Sequence, residues 1–322
     1  MATSGTTSYL LTASGIVQKA FELLEVYAPG ESVSGEDFNS AMVSLNMMIK
    51  HWQAERKLYL HQVEEATLFL AAGQRTYKIG NSSTDKVGLS VNVVETQLTE
   101  AEIITDTLMH VNSTTGMLAT DIIGVVMNDS TILWTTIASV TSSTSVTLTA
   151  ALTVAAASGN YVFSYRTAAG RPLDIDICML RQAGGTDTTL SQYISEIPMT
   201  AVSQSTYFRY PNKGTQGTPL QYYIEKKNLY SNINVFPVPT TPNYRVKFLY
   251  KRIIENFDSS SNNPDIPQEY GAALVYNLAA AIAPQYNRME KLQYFEAKGN
   301  ELLDGAASTS QENNVSLIIR PK

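Results

Sequence analysis

The side chains that most often do chemistry are few and widely spaced along this chain. His51, His61 and His110 are the only histidines, and Cys178 is the only cysteine. His51 and His61 lie ten residues apart in different predicted elements, a spacing that suits no metal-ligand motif, so we expect polar or surface histidines. Cys178 is flanked by Ile, Met and Leu, where a free thiol is usually buried and inert.

Carboxylates and glycines give no catalytic motif either. Glu64 and Glu65 are adjacent on a predicted strand, and neighbours on a strand point to opposite faces, so the two cannot share a substrate. There is no glycine-rich phosphate loop followed by lysine and no dinucleotide fingerprint. We therefore predict a protein that is not an enzyme, with no catalytic, cofactor-binding or metal-binding residues and no cofactor.

A polar segment at 184–217 contains a cluster of aromatic and basic residues. A connection of that length is usually functional or ordered by a partner. Interleaved rings and cations are compatible with base or sugar stacking, but Tyr and Arg are also favoured in protein contacts. We favour a protein interface, formed by Tyr207, Phe208, Arg209, Tyr210 and Lys213.

Composition restricts the class of protein further. A net charge of −6 over 322 residues argues against coating of nucleic acid by a basic surface. No window approaches the roughly 18 apolar residues of a membrane span. The N-terminal MATSGTTSYLL has no basic stretch before an apolar run, so we expect no signal peptide and synthesis in a cytoplasm.

Helical periodicity marks both ends of the chain. Apolar residues recur at helical spacing over about 12–27, and a second stripe follows Ser34 and Asp37, which resemble a capping box. Near the other end, Asp265 is the predicted N-cap of a helix that runs to Pro284. A last helix is predicted from about 286 to 305.

The middle of the chain has strand character. Residues 87–165 contain no Lys or Arg but six acidic residues, and Ser, Thr and Val dominate. Short strands are predicted at 122–126, 131–137, 145–148 and 161–165, with turns between them. Further strands are predicted at 173–180, 222–224, 233–236 and 246–250.

These patterns predict an α+β fold. We expect the N- and C-terminal helices to form one bundle, with antiparallel β units in the long connection between them. The predicted parent body comprises 1–80 and 166–322, and 81–165 is predicted to be an inserted, acidic, Thr-rich β domain. The tail holds a short apolar strand, so we add Val315, Leu317, Ile318, Ile319 and Arg320 to the candidate interface.

The order of these features resembles the head-to-tail adaptor (connector, or head-completion) family of tailed bacteriophages. The similar stretches include GIVQKAFELLEVYAPGESVSGEDFNSAMVSLNMMIKHW, RPLDIDICMLR, PNKGTQGTPLQYYIEKKN, NVFPVPTTPNYRVKFLYKRIIENFD and NNPDIPQEYGAALVYNLAAAIAPQY. The resemblance implies a virion protein at the head–tail junction, assembled in the host bacterial cytoplasm. It implies a dodecameric homo-oligomeric ring that docks under the portal protein, closes the DNA-filled head and carries tail or nozzle proteins. Contact with genomic DNA in its channel would be transient and non-specific, and no membrane is involved.

Two other classes of protein stay open on sequence alone. The Thr-rich β insert and the aromatics are also compatible with a tail-associated module that binds carbohydrate or a receptor. A cell-wall hydrolase would require carboxylates that only the fold brings together.

Overall fold

The computed structural model describes residues 5, 9, 11–55, 57–58, 62–80, 85–182 and 195–309. The chain divides into two units, a helical unit of 1–63 with 253–322 and a β-rich unit of 64–252. Helices and antiparallel sheets occur together, so the predicted α+β class is confirmed. The predicted domain bounds at 81 and 165 stay a prediction.

Two helices from each end of the chain build the helical unit. They are α1 (Ala13–Leu23), α2 (Gly35–Ala54), α4 (Gly271–Ile282) and α5 (Met289–Thr309). Helix α4 packs against α1, α2 and α5, and residues from all four helices share one hydrophobic core. That these helices form one regular bundle stays a prediction.

Two predicted helix termini and the predicted capping box differ in the structure. Helix α1 ends at Leu23, four residues before the predicted end, because Glu25 has a left-handed φ of 57°. Ser34 caps α2 as predicted, but its own N–H donates to the Tyr27 hydroxyl, so the capping box is not reciprocal. Asp265 instead accepts a hydrogen bond from the Glu255 N–H, and α4 begins at Gly271 after a 3₁₀ turn.

Two sheets form a sandwich within the β-rich unit. The larger has the order β11-β10-β15-β1-β3, and the smaller has the order β12-β13-β14-β2. Residues from both sheets fill one core, which includes Leu68, Cys178, Ile233 and Phe248. The strands are β1 (Val63–Phe69), β2 (Thr76–Ile79), β3 (Val87–Leu89), β10 (Asp174–Gln182), β11 (Ser195–Pro198), β12 (Thr200–Ala201), β13 (Gln221–Lys226), β14 (Ser231–Phe236) and β15 (Tyr244–Lys251).

The other six strands form a third sheet with its own core. They are β4 (Val94–Gln97), β5 (Leu108–His110), β6 (Ile122–Val126), β7 (Ile132–Ser142), β8 (Ser145–Leu148) and β9 (Tyr161–Tyr165), in the order β4-β9-β6-β7-β8-β5. Three of the four short strands predicted here have the bounds observed, and β7 is longer than predicted. Inward-facing side chains such as Met109, Ile123 and Val146 are fully buried.

This sheet closes on itself to form a barrel. The Asn112 N–H donates to the Gln97 carbonyl at 3.0 Å, and the Thr99 N–H donates to the His110 carbonyl at 2.9 Å. A bridge between Leu98 and Val111 lies between these bonds, so the chain leaving β4 pairs with the chain around β5. Closure leaves the sheet without free edge strands, which can otherwise form hydrogen bonds with strands of other chains.

The segment 184–217 is not a continuous loop. Within its described part, from 195 onward, the structure has β11, β12 and a short helix α3 (Gln204–Phe208). Strand β11 pairs with β10, and β12 pairs in parallel with β13. The prediction of one long loop is wrong for this part, because tertiary pairing supplies the hydrogen bonds that the polar sequence pattern does not reveal.

Candidate functional site

The predicted interface residues around α3 have different degrees of exposure. Tyr207 is buried, Tyr210 and Lys213 are half-buried, and Arg209 is exposed. Phe208 is 64% exposed. The Ser203 hydroxyl caps α3 by accepting a hydrogen bond from the Thr206 N–H.

Two tyrosines hold α3 against the smaller sheet. The Tyr207 ring stacks on Tyr223 with 5.5 Å between ring centroids, and burial raises the pKa of Tyr207. The Tyr210 ring stacks on Phe236 at 4.4 Å, and its hydroxyl donates to Gln221 Oε1 at 2.5 Å. These two side chains therefore serve packing.

Lys213 is fixed next to the exposed ring. Its Nζ donates to the carbonyl oxygens of Phe208 and Tyr210, each at 3.2 Å, and lies 5.6 Å from the Phe208 ring centroid. An exposed ring beside a fixed cation suits a protein contact. Among the described rings of this cluster only Phe208 is largely exposed, whereas a stacking platform for several bases needs successive exposed rings.

An aromatic cluster attaches the barrel to the sandwich. Phe69 of β1 contacts the rings of Trp134, Phe163 and Tyr165, which belong to the barrel, at centroid distances of 5.1 to 5.8 Å. Aromatic pairs of this kind contribute stability beyond the area they bury. The barrel and the sandwich thus belong to one packed unit.

A buried ion pair joins the same two parts. Arg245 of β15 is 1% exposed, and its Nη2 lies 2.8 Å from Glu95 Oε2 on β4. The guanidinium also lies 4.8 Å from the Phe163 ring centroid, and Arg181 lies 3.7 Å from the second oxygen of Glu95. Burial lowers the pKa of Arg245, and the charge of Glu95 opposes that shift.

Comparison with known protein families identifies the chain. A family model described as SU10 adaptor protein matches residues 101–320, about two thirds of the sequence. The chain belongs to the SU10 adaptor protein family. This is a structural adaptor family of phages and not an enzyme family. A search of curated proteins found no match.

The adaptor's barrel is less acidic at its surface than the sequence indicates. Asp121 is buried and pairs with Arg166 at 3.0 Å, and Glu95 pairs with Arg245. Glu100 and Glu102 both lie beside His110, a grouping that sequence analysis did not find. Two of the six carboxylates of 87–165 are therefore compensated by buried or partly buried arginines.

The remaining candidate side chains have separate partners in the adaptor. Glu64 pairs with Arg252 at 3.0 Å and Glu65 pairs with Lys247 at 3.2 Å, so the two carboxylates do not converge. Cys178 is buried, as predicted, and burial raises the pKa of its thiol. His61, Val315, Leu317, Ile318, Ile319 and Arg320 lie outside the described residues.

The helical unit of the adaptor exposes apolar side chains. Val43 and Met47 of α2 are 60% and 68% exposed, and their spacing of four residues puts them on the same helix face. Met289 and Tyr294 of α5 are also exposed. Among the helices that the structure describes, none combines the length and apolar character needed to cross a bilayer.

Proposed function

We propose that this adaptor forms a homo-oligomeric ring, a dodecamer, that docks under the portal protein of its phage. The ring closes the DNA-filled head, provides the platform for tail or nozzle proteins and lines the channel through which DNA leaves. The family match over 101–320 is the observation that carries this proposal. The two-unit α+β architecture supports it, because one unit can form the ring while the other engages partners.

The test of docking is complex formation between the full-length adaptor and purified portal rings from the same phage. Sedimentation velocity should show a complex larger than the portal, and negative-stain images should show an added ring on its symmetry axis. Portal rings that sediment unchanged with excess adaptor, and that carry no added density, would contradict the proposal.

We assign lateral contacts between subunits to the exposed face of α2. Large apolar side chains on a water-facing helix face indicate an association surface when they form a patch. Val43→Asp with Met47→Asp places two charges on that face without touching the buried core. We expect circular dichroism to be unchanged and ring formation on the portal to be lost.

The matched control is Val91→Asp. Val91 is a highly exposed valine in the β-rich unit, between β3 and β4. We expect this variant to form rings as the unmodified chain does. Loss of rings in both variants would mean that added charge disrupts assembly non-specifically, and rings in the α2 variant would refute the assignment.

The C-terminal residues are proposed to engage a partner, as a strand added to a neighbour's sheet or to the portal. Deletion of 311–322 should leave the monomer folded by circular dichroism and impair its assembly with portal rings. A truncated chain that assembles at the same protein concentration would refute this role.

The barrel is proposed to be a surface that does not retain DNA. Residues 87–165 contain no Lys or Arg, so the barrel lacks the cations that neutralise phosphates. Fluorescence anisotropy with duplex DNA at about 150 mM salt should give no saturable binding. Saturable binding under those conditions would contradict a channel wall past which DNA slides.

A further inference from the structure

Three metal-ligand side chains converge where the barrel closes. Glu100 and Glu102 follow β4, and His110 ends β5. Nδ1 of His110 lies 2.7 Å from Glu100 Oε1 and 2.9 Å from Glu102 Oε1. One donor atom from each of the three residues lies within 4.8 Å of the others.

Either a hydrogen on Nδ1 or, when the ring carries its hydrogen on Nε2, a cation between the three atoms satisfies this arrangement. Carboxylate oxygens are acceptors, and Nδ1 of a neutral imidazole is also an acceptor when the proton is on Nε2. Three lone pairs would then face one another. The Glu102 side chain is only 6% exposed, and a buried carboxylate without a compensating charge is costly.

We propose that Glu100, Glu102 and His110 bind a divalent transition-metal ion of the zinc class. The ligands are one Oε1 from each glutamate and Nδ1 of the histidine, with water completing the coordination. Imidazole with carboxylate suits zinc better than magnesium or calcium, which prefer oxygen ligands alone. Tetrahedral bonds of roughly 2.1 Å put ligand atoms about 3.4 Å apart, so Glu100 Oε1 has to move away from Nδ1 by about 0.7 Å and Glu102 Oε1 by about 0.5 Å.

The backbone holds two of the ligands in place. Glu102 exchanges hydrogen bonds with Ala156 at 2.8 and 3.0 Å, and Thr99 donates to the His110 carbonyl at 2.9 Å. The His110 N–H also donates to Glu102 Oε1 at 2.8 Å, which orients that carboxylate. Glu100 is 59% exposed and free to adjust, so the site is preorganised on one side and open on the other.

The experiment is calorimetric titration of the chelator-treated full-length protein with zinc chloride, in parallel with magnesium chloride. We expect saturable zinc binding that depends on this cluster and no comparable magnesium binding. Glu100→Gln and His110→Gln should each weaken zinc binding at least about tenfold, because each removes one ligand. Glu100 is exposed, so its substitution leaves the fold intact, which circular dichroism verifies.

His51→Gln is the matched control. His51 also lies beside a glutamate, Glu55, at 3.2 Å, but on a helix and, among the described residues, in no group of three possible ligands. This variant should bind zinc with unchanged affinity at the barrel site. Zinc affinity that is unchanged in both cluster variants, or absence of saturable binding, would overturn the proposal.

Nitrogen-15 chemical shifts of the histidine rings distinguish a metal ion bound to Nδ1 of His110 from a hydrogen on the same atom. A metal on Nδ1 leaves the hydrogen on Nε2, whereas an imidazolium carries hydrogen on both nitrogens. We expect the Nε2–H form of His110 at saturating zinc. A hydrogen on Nδ1 under that condition, in a neutral or a charged ring, would show a hydrogen-bonded cluster, and the metal site would be rejected.

Discussion

Replacing Glu95 by glutamine should destabilise the β-rich unit strongly. The substitution keeps the shape of the side chain but removes the negative charge opposite Arg245, which is 1% exposed. Two cations then remain near the amide, because Arg181 also lies 3.7 Å from this side chain. The described structure offers the Nε and Nη1 atoms of Arg245 no hydrogen-bond acceptor that would compensate.

The size of the effect follows from the geometry of the pair. Removal of one partner of a buried ion pair costs about 3–5 kcal/mol. The Glu95 side chain is 17% exposed, and the glutamine oxygen still accepts one hydrogen bond from the guanidinium. We therefore expect the lower end of that range, about 3 kcal/mol. Arg245→Met should cost less, about 1–2 kcal/mol, because Glu95 keeps Arg181 while the contacts with the aromatic rings are lost.

Urea denaturation of the two single variants and the double variant gives the coupling energy. Trp52 lies in the helical unit and Trp134 in the β-rich unit, so a Trp52→Phe background leaves Trp134 as the reporter of the unit under test. Glu95→Gln should have a much smaller effect once Arg245 is methionine. Equal effects of Glu95→Gln in both backgrounds would refute the claim that the pair stabilises this unit.

Three further predictions concern single residues. Gly88→Ala should destabilise the β-rich unit by about 2 kcal/mol in urea denaturation, since the added Cβ would lie 2.6 Å from Cβ and Cγ of Tyr165. Cys178 should resist iodoacetamide in the native protein and react fully in urea, as mass spectrometry can show, because burial raises the pKa of its thiol. A hydrogen bond from Tyr27, with two further hydroxyl bonds, lowers the pKa of Asp37. Its stabilisation is therefore present above the unfolded pKa of about 3.9 and lost as pH falls through the lower folded value. Asp37→Asn should remove that pH dependence from denaturation curves of the helical unit between pH 2 and 6.

Local pattern predicted the elements whose ends are marked in the sequence by turns or capping residues. Strands β6, β8 and β9 have the bounds predicted, because short runs rich in apolar and β-branched residues lie between clear turns. Helix α2 starts after Ser34, as its cap predicts. Strand β12 was not predicted, because it has two exposed residues and exists through pairing with β13.

The cluster of Glu100, Glu102 and His110 was harder to predict from the sequence, because pairing between distant segments brings these residues together. Glu100 and Glu102 are two apart, so an extended chain puts them on one face, and that signal is present in the sequence. His110 joins them only because the barrel closes between Leu98 and Val111. The partnership of Glu95 with Arg245 likewise depends on how the barrel lies on the sandwich, which no local pattern encodes.

The way the barrel is inserted explains how the adaptor carries it without disrupting the sandwich. The segments that enter and leave the barrel pair with each other, since Leu89 donates to Thr167 and Ala169 donates to Val87, each at 2.9 Å. An insert whose ends lie this close leaves the parent sheet continuous. The aromatic cluster and the ion pair of Glu95 then fix its orientation on the sandwich. We therefore expect the barrel and the sandwich to unfold together, so that Trp134 in the barrel reports the loss of the Glu95 charge for the whole β-rich unit.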